Sequence, residues 1–139
     1  MTDIVVRRFI PIPREQVFAA WLDPSSQVQW MLPPTVTSAT VESDPRVGGR
    51  FRIVMARGGG IEVEHVGEYL KIEPPSLLSF TWTSKETYGQ TTVVTIEFHE
   101  RDGGTELILT HRGLPPEKST AHEQGWGGIA LKLDEFFES

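Results

Sequence analysis

The sequence predicts an α+β fold in which a curved antiparallel sheet packs against one long C-terminal helix. Three observations carry this. Hydropathy runs with period 2 for roughly seventy-five residues from Thr35 onward. The connections inside that stretch are too short for crossovers, so sequential strands pair as antiparallel hairpins. The last segment is the one amphipathic element long enough to cover a sheet face.

The elements follow in order. Ile4 to Ile10 is rich in β-branched side chains and stops at Pro11 and Pro13, which predicts a first strand. Pro13 suits the first turn of a helix, and Val17, Phe18, Trp21 and Leu22 recur at helical spacing. Asp23-Pro24-Ser25-Ser26 breaks that helix and offers caps for a short second one over Gln27 to Trp30, closed by Pro33-Pro34. Six strands are then expected: Val36 to Ser43, Arg50 to Arg57, Ile61 to Ile72, Leu77 to Ser84, Gln90 to Glu100 and Thr105 to Arg112. After Leu114-Pro115-Pro116, His122, Trp126, Ile129, Ala130, Leu133 and Phe136 or Phe137 share one stripe. A helix over Glu117 to Phe137 would be ~30 Å long.

Composition narrows the function. At 139 residues, 38% apolar and 23% charged, a single domain over 1–139 is expected. The absence of cysteine excludes disulfides, thiolate nucleophiles and cysteine-held metal clusters. A net charge of -6 argues against a general nucleic-acid binder. Apolar runs are only a few residues long, and the N-terminus lacks the apolar core of a signal peptide, so no membrane insertion and a cytoplasmic location are expected.

Alternation places Phe51, Ile53, Met55, Val63, His65, Gly67, Tyr69, Leu78, Phe80, Trp82, Val94, Ile96, Phe98, Leu107, Leu109 and His111 on the inner face. Arg50, Arg52, Glu62, Glu64, Glu68, Ser79, Thr81, Thr95, Glu97, Glu106 and Thr110 fall on the other face and suit water.

Several tracts together resemble a known family. They are Val17-Phe18-Ala19-Ala20-Trp21, Gln29-Trp30, Asp44-Pro45-Arg46-Val47-Gly48-Gly49-Arg50-Phe51, Gly67 to Pro75, Leu78-Ser79-Phe80-Thr81-Trp82, Leu107 to His111 and His122-Glu123-Gln124-Gly125-Trp126. In combination they are similar to the AHSA branch, named for an activator of a heat-shock-protein ATPase, of the START-like or SRPBCC superfamily. The resemblance covers essentially the whole chain and implies the helix-grip fold, with a hydrophobic cavity between sheet and C-terminal helix. Members of the superfamily bind lipids, sterols and other apolar ligands, and some are aromatic polyketide cyclases. Fold alone does not choose among these roles. The chain resembles the domain without the eukaryotic co-chaperone's N-terminal extension, so binding of a heat-shock-protein chaperone is not carried over.

The expected ligand is therefore a small apolar or aromatic molecule. The residues expected to contact it are Trp30, Phe51, Ile53, Met55, His65, Gly67, Tyr69, Phe80, Trp82, Leu109, His111, Trp126 and Ile129. His65, Tyr69 and His111 could orient a ligand carbonyl or hydroxyl, or act as acid and base in a cyclase or dehydratase-like enzyme; each could equally be a hydrogen-bonded core residue. A protein-interaction domain is the third class. No cofactor and no metal are expected. Glu64 has the opposite strand parity from His65, and Trp126 stands where a zincin signature begun by His122-Glu123 needs its second histidine. Gly67 is expected to leave room for a ligand or for the helix backbone. Gly125, Gly127 and Gly128 around Trp126 predict a bend or a close backbone approach in the last helix.

Overall fold

The computed structural model describes residues 1–138. Seven strands, β1 (Thr2–Ile10), β2 (Val36–Ser43), β3 (Arg50–Arg57), β4 (Glu62–Glu73), β5 (Leu77–Trp82), β6 (Thr92–Arg101) and β7 (Gly104–Leu114), form one sheet in the order β1-β7-β6-β5-β4-β3-β2. Every pairing is antiparallel. From β2 to β7 the chain is a meander, and β1 adds to the far edge beside β7. Helices α1 (Arg14–Ala20) and α2 (Pro24–Trp30) carry the chain from one edge strand to the other. The sheet curls around α3 (Ser119–Glu138), as the helix-grip fold requires.

Burial explains the grip. Trp126, Ile129, Ala130 and Leu133 recur at spacings of three and four on α3 and are buried against the inner face. Phe51, Ile53 and Met55 of β3, Leu78, Phe80 and Trp82 of β5, and Val94, Ile96 and Phe98 of β6 face them. The Arg8 guanidinium on β1 grips Asp134 Oδ2 through Nε at 3.0 Å and Nη2 at 2.9 Å, fastening the C-terminal half of α3 to the sheet edge.

Several boundaries differ from the sequence expectation, each for a local reason. α2 begins at Pro24, not Gln27. Asp23 Oδ1 accepts from the Ser25 N–H at 3.1 Å, and Pro24, lacking an N–H, fits the first turn. β5 ends at Trp82 because Ser84 caps a 3₁₀ turn over Lys85–Thr87. The last helix starts at Ser119, preceded by a 3₁₀ turn over Pro116–Lys118. Ser79, expected in water, is buried on the outer face, where its hydroxyl lies 3.3 Å from that of Thr95.

Candidate functional site

A cavity of about 280 Å³ opens beneath the N-terminal half of α3. Its sheet wall is Met55 on β3, Val63 and His65 on β4, and Trp82 at the end of β5; its helix wall is Ala121, Gly125, Trp126 and Ile129. Pro33, Pro34 and Thr35, between α2 and β2, close the side with Val36 at the start of β2, and Arg57, Glu86, His122 and Gln124 add polar groups. This volume sits near the lower end of that usual for small-molecule sites.

Local sequence shapes this closed side. Gly128 lets α3 lie against the proline segment, since a Cβ there would stand 2.5 Å from Pro34 Cδ. A Cβ on Gly125 would meet Pro33 Cβ at 3.8 Å, an ordinary contact, and one on Gly127 would meet nothing. Of the three, Gly128 alone serves a close approach, and α3 runs as one continuous helix through them, without the alternative bend. Thr35, a β-branched residue, is held at φ 74° beside the cavity, a conformation that side chains of its type rarely adopt.

The three histidines near the helix have different states. His111 is fully buried and fully engaged: its Nδ1 accepts from Trp126 Nε1–H at 2.9 Å, and its Nε2 lies 2.7 Å from Thr92 Oγ1. Because an indole nitrogen only donates, Nδ1 carries the lone pair, and Nε2–H donates to Thr92. The Thr92 hydroxyl in turn donates to the Trp82 carbonyl at 2.6 Å. Burial, aided by the neighbouring His122, lowers the His111 pKa to about 3. His111 thus fastens helix to sheet and has no free nitrogen for proton transfer.

His65 is 7% exposed, lines the cavity and stacks on Trp82 with centroids 4.8 Å apart. Its Nδ1 is buried with no hydrogen-bond partner. Burial lowers its pKa to about 4, although the nearby Ile53 and Val63 backbone favours the cation. An imidazole on an otherwise largely apolar wall suits a ligand's polar group. His122 is also pushed down by burial, and its Nδ1–H donates to the Lys118 carbonyl at 2.8 Å. At the rim, Lys118 Nζ donates to Glu86 Oε2 at 2.8 Å, and that bond holds the Glu86 carboxyl below its ordinary range.

The family model described as "Activator of Hsp90 ATPase homolog 1-like protein" matches residues 11–138. The chain belongs to that family. The human and mouse proteins called Activator of 90 kDa heat shock protein ATPase homolog 1 are 30% and 29% identical to it over 93 residues. That match covers 66% of this chain and 25% of theirs, so it spans about a quarter of the length of those relatives. The AHSA1 protein of Silicibacter pomeroyi is 27% identical with a TM-score of 0.82, over 99% of this chain and 98% of that one. A protein from Chromobacterium violaceum, 22% identical with a TM-score of 0.85 over 99% and 97% of the two chains, shares the fold.

Within this AHSA1-family chain the residues expected at the site divide into three groups. Met55, His65, Trp82, Trp126 and Ile129 line the cavity. Phe51, Ile53, Tyr69 and Phe80 lie behind Trp82, around a void of about 10 Å³ that Trp21, Gln27 and Met31 close from the helical side. There, Phe51 packs on Tyr69 and on Phe80 at centroid distances of 5.4 Å, so that end of the inner face is filled. Trp30, Gly67, Leu109 and His111 line neither space. Trp30 packs on Trp21 and donates to Ser26 Oγ at 3.0 Å, and Leu109 is core. Gly67 leaves no room for a ligand: a Cβ there would stand 2.0 Å from the Thr81 carbonyl oxygen and 2.3 Å from Phe51 Cζ. Arg57, Glu86 and the proline segment were not anticipated. Arg57 had a signal, being two residues beyond Met55 on the same strand face.

Proposed function

We propose that this AHSA1-family chain binds a small apolar or aromatic molecule in the cavity between the sheet and the N-terminal half of α3. The observation that carries the reading is a space of about 280 Å³ walled by Met55, Val63, His65, Trp82, Trp126 and Ile129. The body of the ligand rests on the two indoles, and its hydroxyl or carbonyl pairs with His65. His65, neutral near pH 7, serves as an orienting group. The apolar walls favour small-molecule binding over the ATPase activation in the name of the human and mouse relatives.

The test is a titration with N-phenyl-1-naphthylamine, an uncharged aromatic probe, followed by tryptophan emission. Saturable one-to-one binding with altered indole emission is expected, because Trp82 and Trp126 line the cavity. No saturable binding of this probe or of the smaller naphthalene would overturn the reading.

A further inference from the structure

We propose that the occupant is an amphipathic monocarboxylate, with its apolar or aromatic body against Trp82 and Trp126 and its carboxylate on Arg57. The inference rests on the cavity reading above and adds the charge and orientation of the ligand.

The charged residues lining the cavity are Arg57 and Glu86. Glu86 already accepts from Lys118, so its charge is matched. The Arg57 guanidinium makes no hydrogen bond or ion pair among the described residues and is felt by Glu86 and Lys118 only through space. Lys85 is a further cation close enough to act on Glu86. Three cations, Lys118, Arg57 and Lys85, thus act on the one carboxylate that lines the cavity, on a chain whose net charge is -6. A planar guanidinium fork with no partner matches a carboxylate.

Strand register supplies the orientation. Met55 pairs with Val63 and Ile53 with His65, so the wall runs inward from Arg57 at the end of β3, across Met55 and Val63, to His65. Four residues separate Arg57 from the level of His65, or ~13 Å of strand at ~3.3 Å per residue. Cation, apolar surface and neutral imidazole follow one another along that path. A molecule with one anionic end and an apolar body fits this order, whereas a ligand charged at both ends would place a charge beside the desolvated His65.

The test compares 2-naphthoate with its neutral isostere 2-naphthamide by calorimetry on the full chain, in the native protein and in the variants Arg57→Gln and Lys118→Gln. The native protein should bind 2-naphthoate about five-fold more tightly, an advantage that shrinks with added salt. Arg57→Gln should abolish the advantage, so that this variant binds 2-naphthoate no more tightly than it binds 2-naphthamide. Lys118→Gln should reduce it, because an unmatched Glu86 then competes for Arg57. Equal affinities in the native protein, or a preference that survives Arg57→Gln, would overturn the carboxylate assignment while leaving the cavity reading intact. Binding of neither naphthalene would overturn both.

Discussion

The indole of Trp126 donates to Nδ1 of His111 at 2.9 Å, joining α3 to β7 at a point where neither group reaches solvent. His111 passes the interaction on to Thr92 on β6, and Thr92 to the carbonyl of Trp82 on β5, so one chain of hydrogen bonds links the helix to three strands. The same two tryptophans line the cavity, which makes His111 a positioning residue for the walls.

His111→Phe should therefore destabilise the fold by about 2–3 kcal/mol, since it strands a buried indole N–H and removes the acceptor and donor beside it. His111→Gln, which keeps an acceptor and a donor, should recover part of the loss. Urea denaturation midpoints measure both. A Phe variant as stable as the native protein would contradict the network.

Stability should fall on acidification. His65 and His111 have folded-state pKa values of about 4 and about 3, below the ordinary 6.5, so below that value the unfolded chain binds more protons than the folded one. Their contribution is constant above about pH 7, is lost progressively as pH falls through 6.5 toward 4 and 3, and levels off below. The full loss is on the order of a few kcal/mol for each histidine. The slope of stability against pH between 6.5 and 4.5 should be shallower in His111→Gln than in the native protein. Parallel slopes would show that His111 does not titrate on unfolding.

The glycines of α3 give a paired prediction. Gly127→Ala meets open space and should stabilise by ~0.5–1 kcal/mol through helix propensity. Gly128→Ala places its Cβ 2.5 Å from Pro34 and should lower the thermal midpoint by displacing the proline segment. Equal effects at the two positions would contradict the close approach.

Much of the fold was legible because periodicity and short connections determine strand order in a meander. The 3.6-residue stripe ending at Leu133 and the Phe136–Phe137 pair named the covering helix. Site depth was less legible. Alternation says which face a residue occupies but not which end of the strand remains uncovered, so Phe51 and Tyr69 share a face with Met55 and His65 yet lie in a filled aromatic cluster. The side of the cavity at the Met55 end is walled by the proline segment abutting Gly128, a contact between residues nearly a hundred positions apart. The role of His111 depends on its partner Trp126, which strand parity does not reveal. Gly67 reads as vacant in sequence, but the Phe51 ring and the Thr81 backbone fill its place.

Truncation tests the grip itself. Ending the chain at Gly125 removes Trp126, Ile129, Ala130 and Leu133, all buried. At ~1.5–3 kcal/mol for each large side chain, together with the lost His111 partner, this approaches or exceeds the usual stability of a small domain. The truncated chain should aggregate or lack a cooperative melt. A soluble product with an unchanged midpoint would refute the architecture.

The central claim, an apolar ligand seated beneath the N-terminal half of α3, is tested most directly by filling that space from within. Val63 is buried and lines the cavity, so Val63→Phe directs a ring into it. Calorimetric titration with N-phenyl-1-naphthylamine should show one-to-one binding to the native protein and at least ten-fold weaker binding to a Val63→Phe protein that melts cooperatively. Undiminished affinity in that folded variant would place the ligand elsewhere and contradict the account.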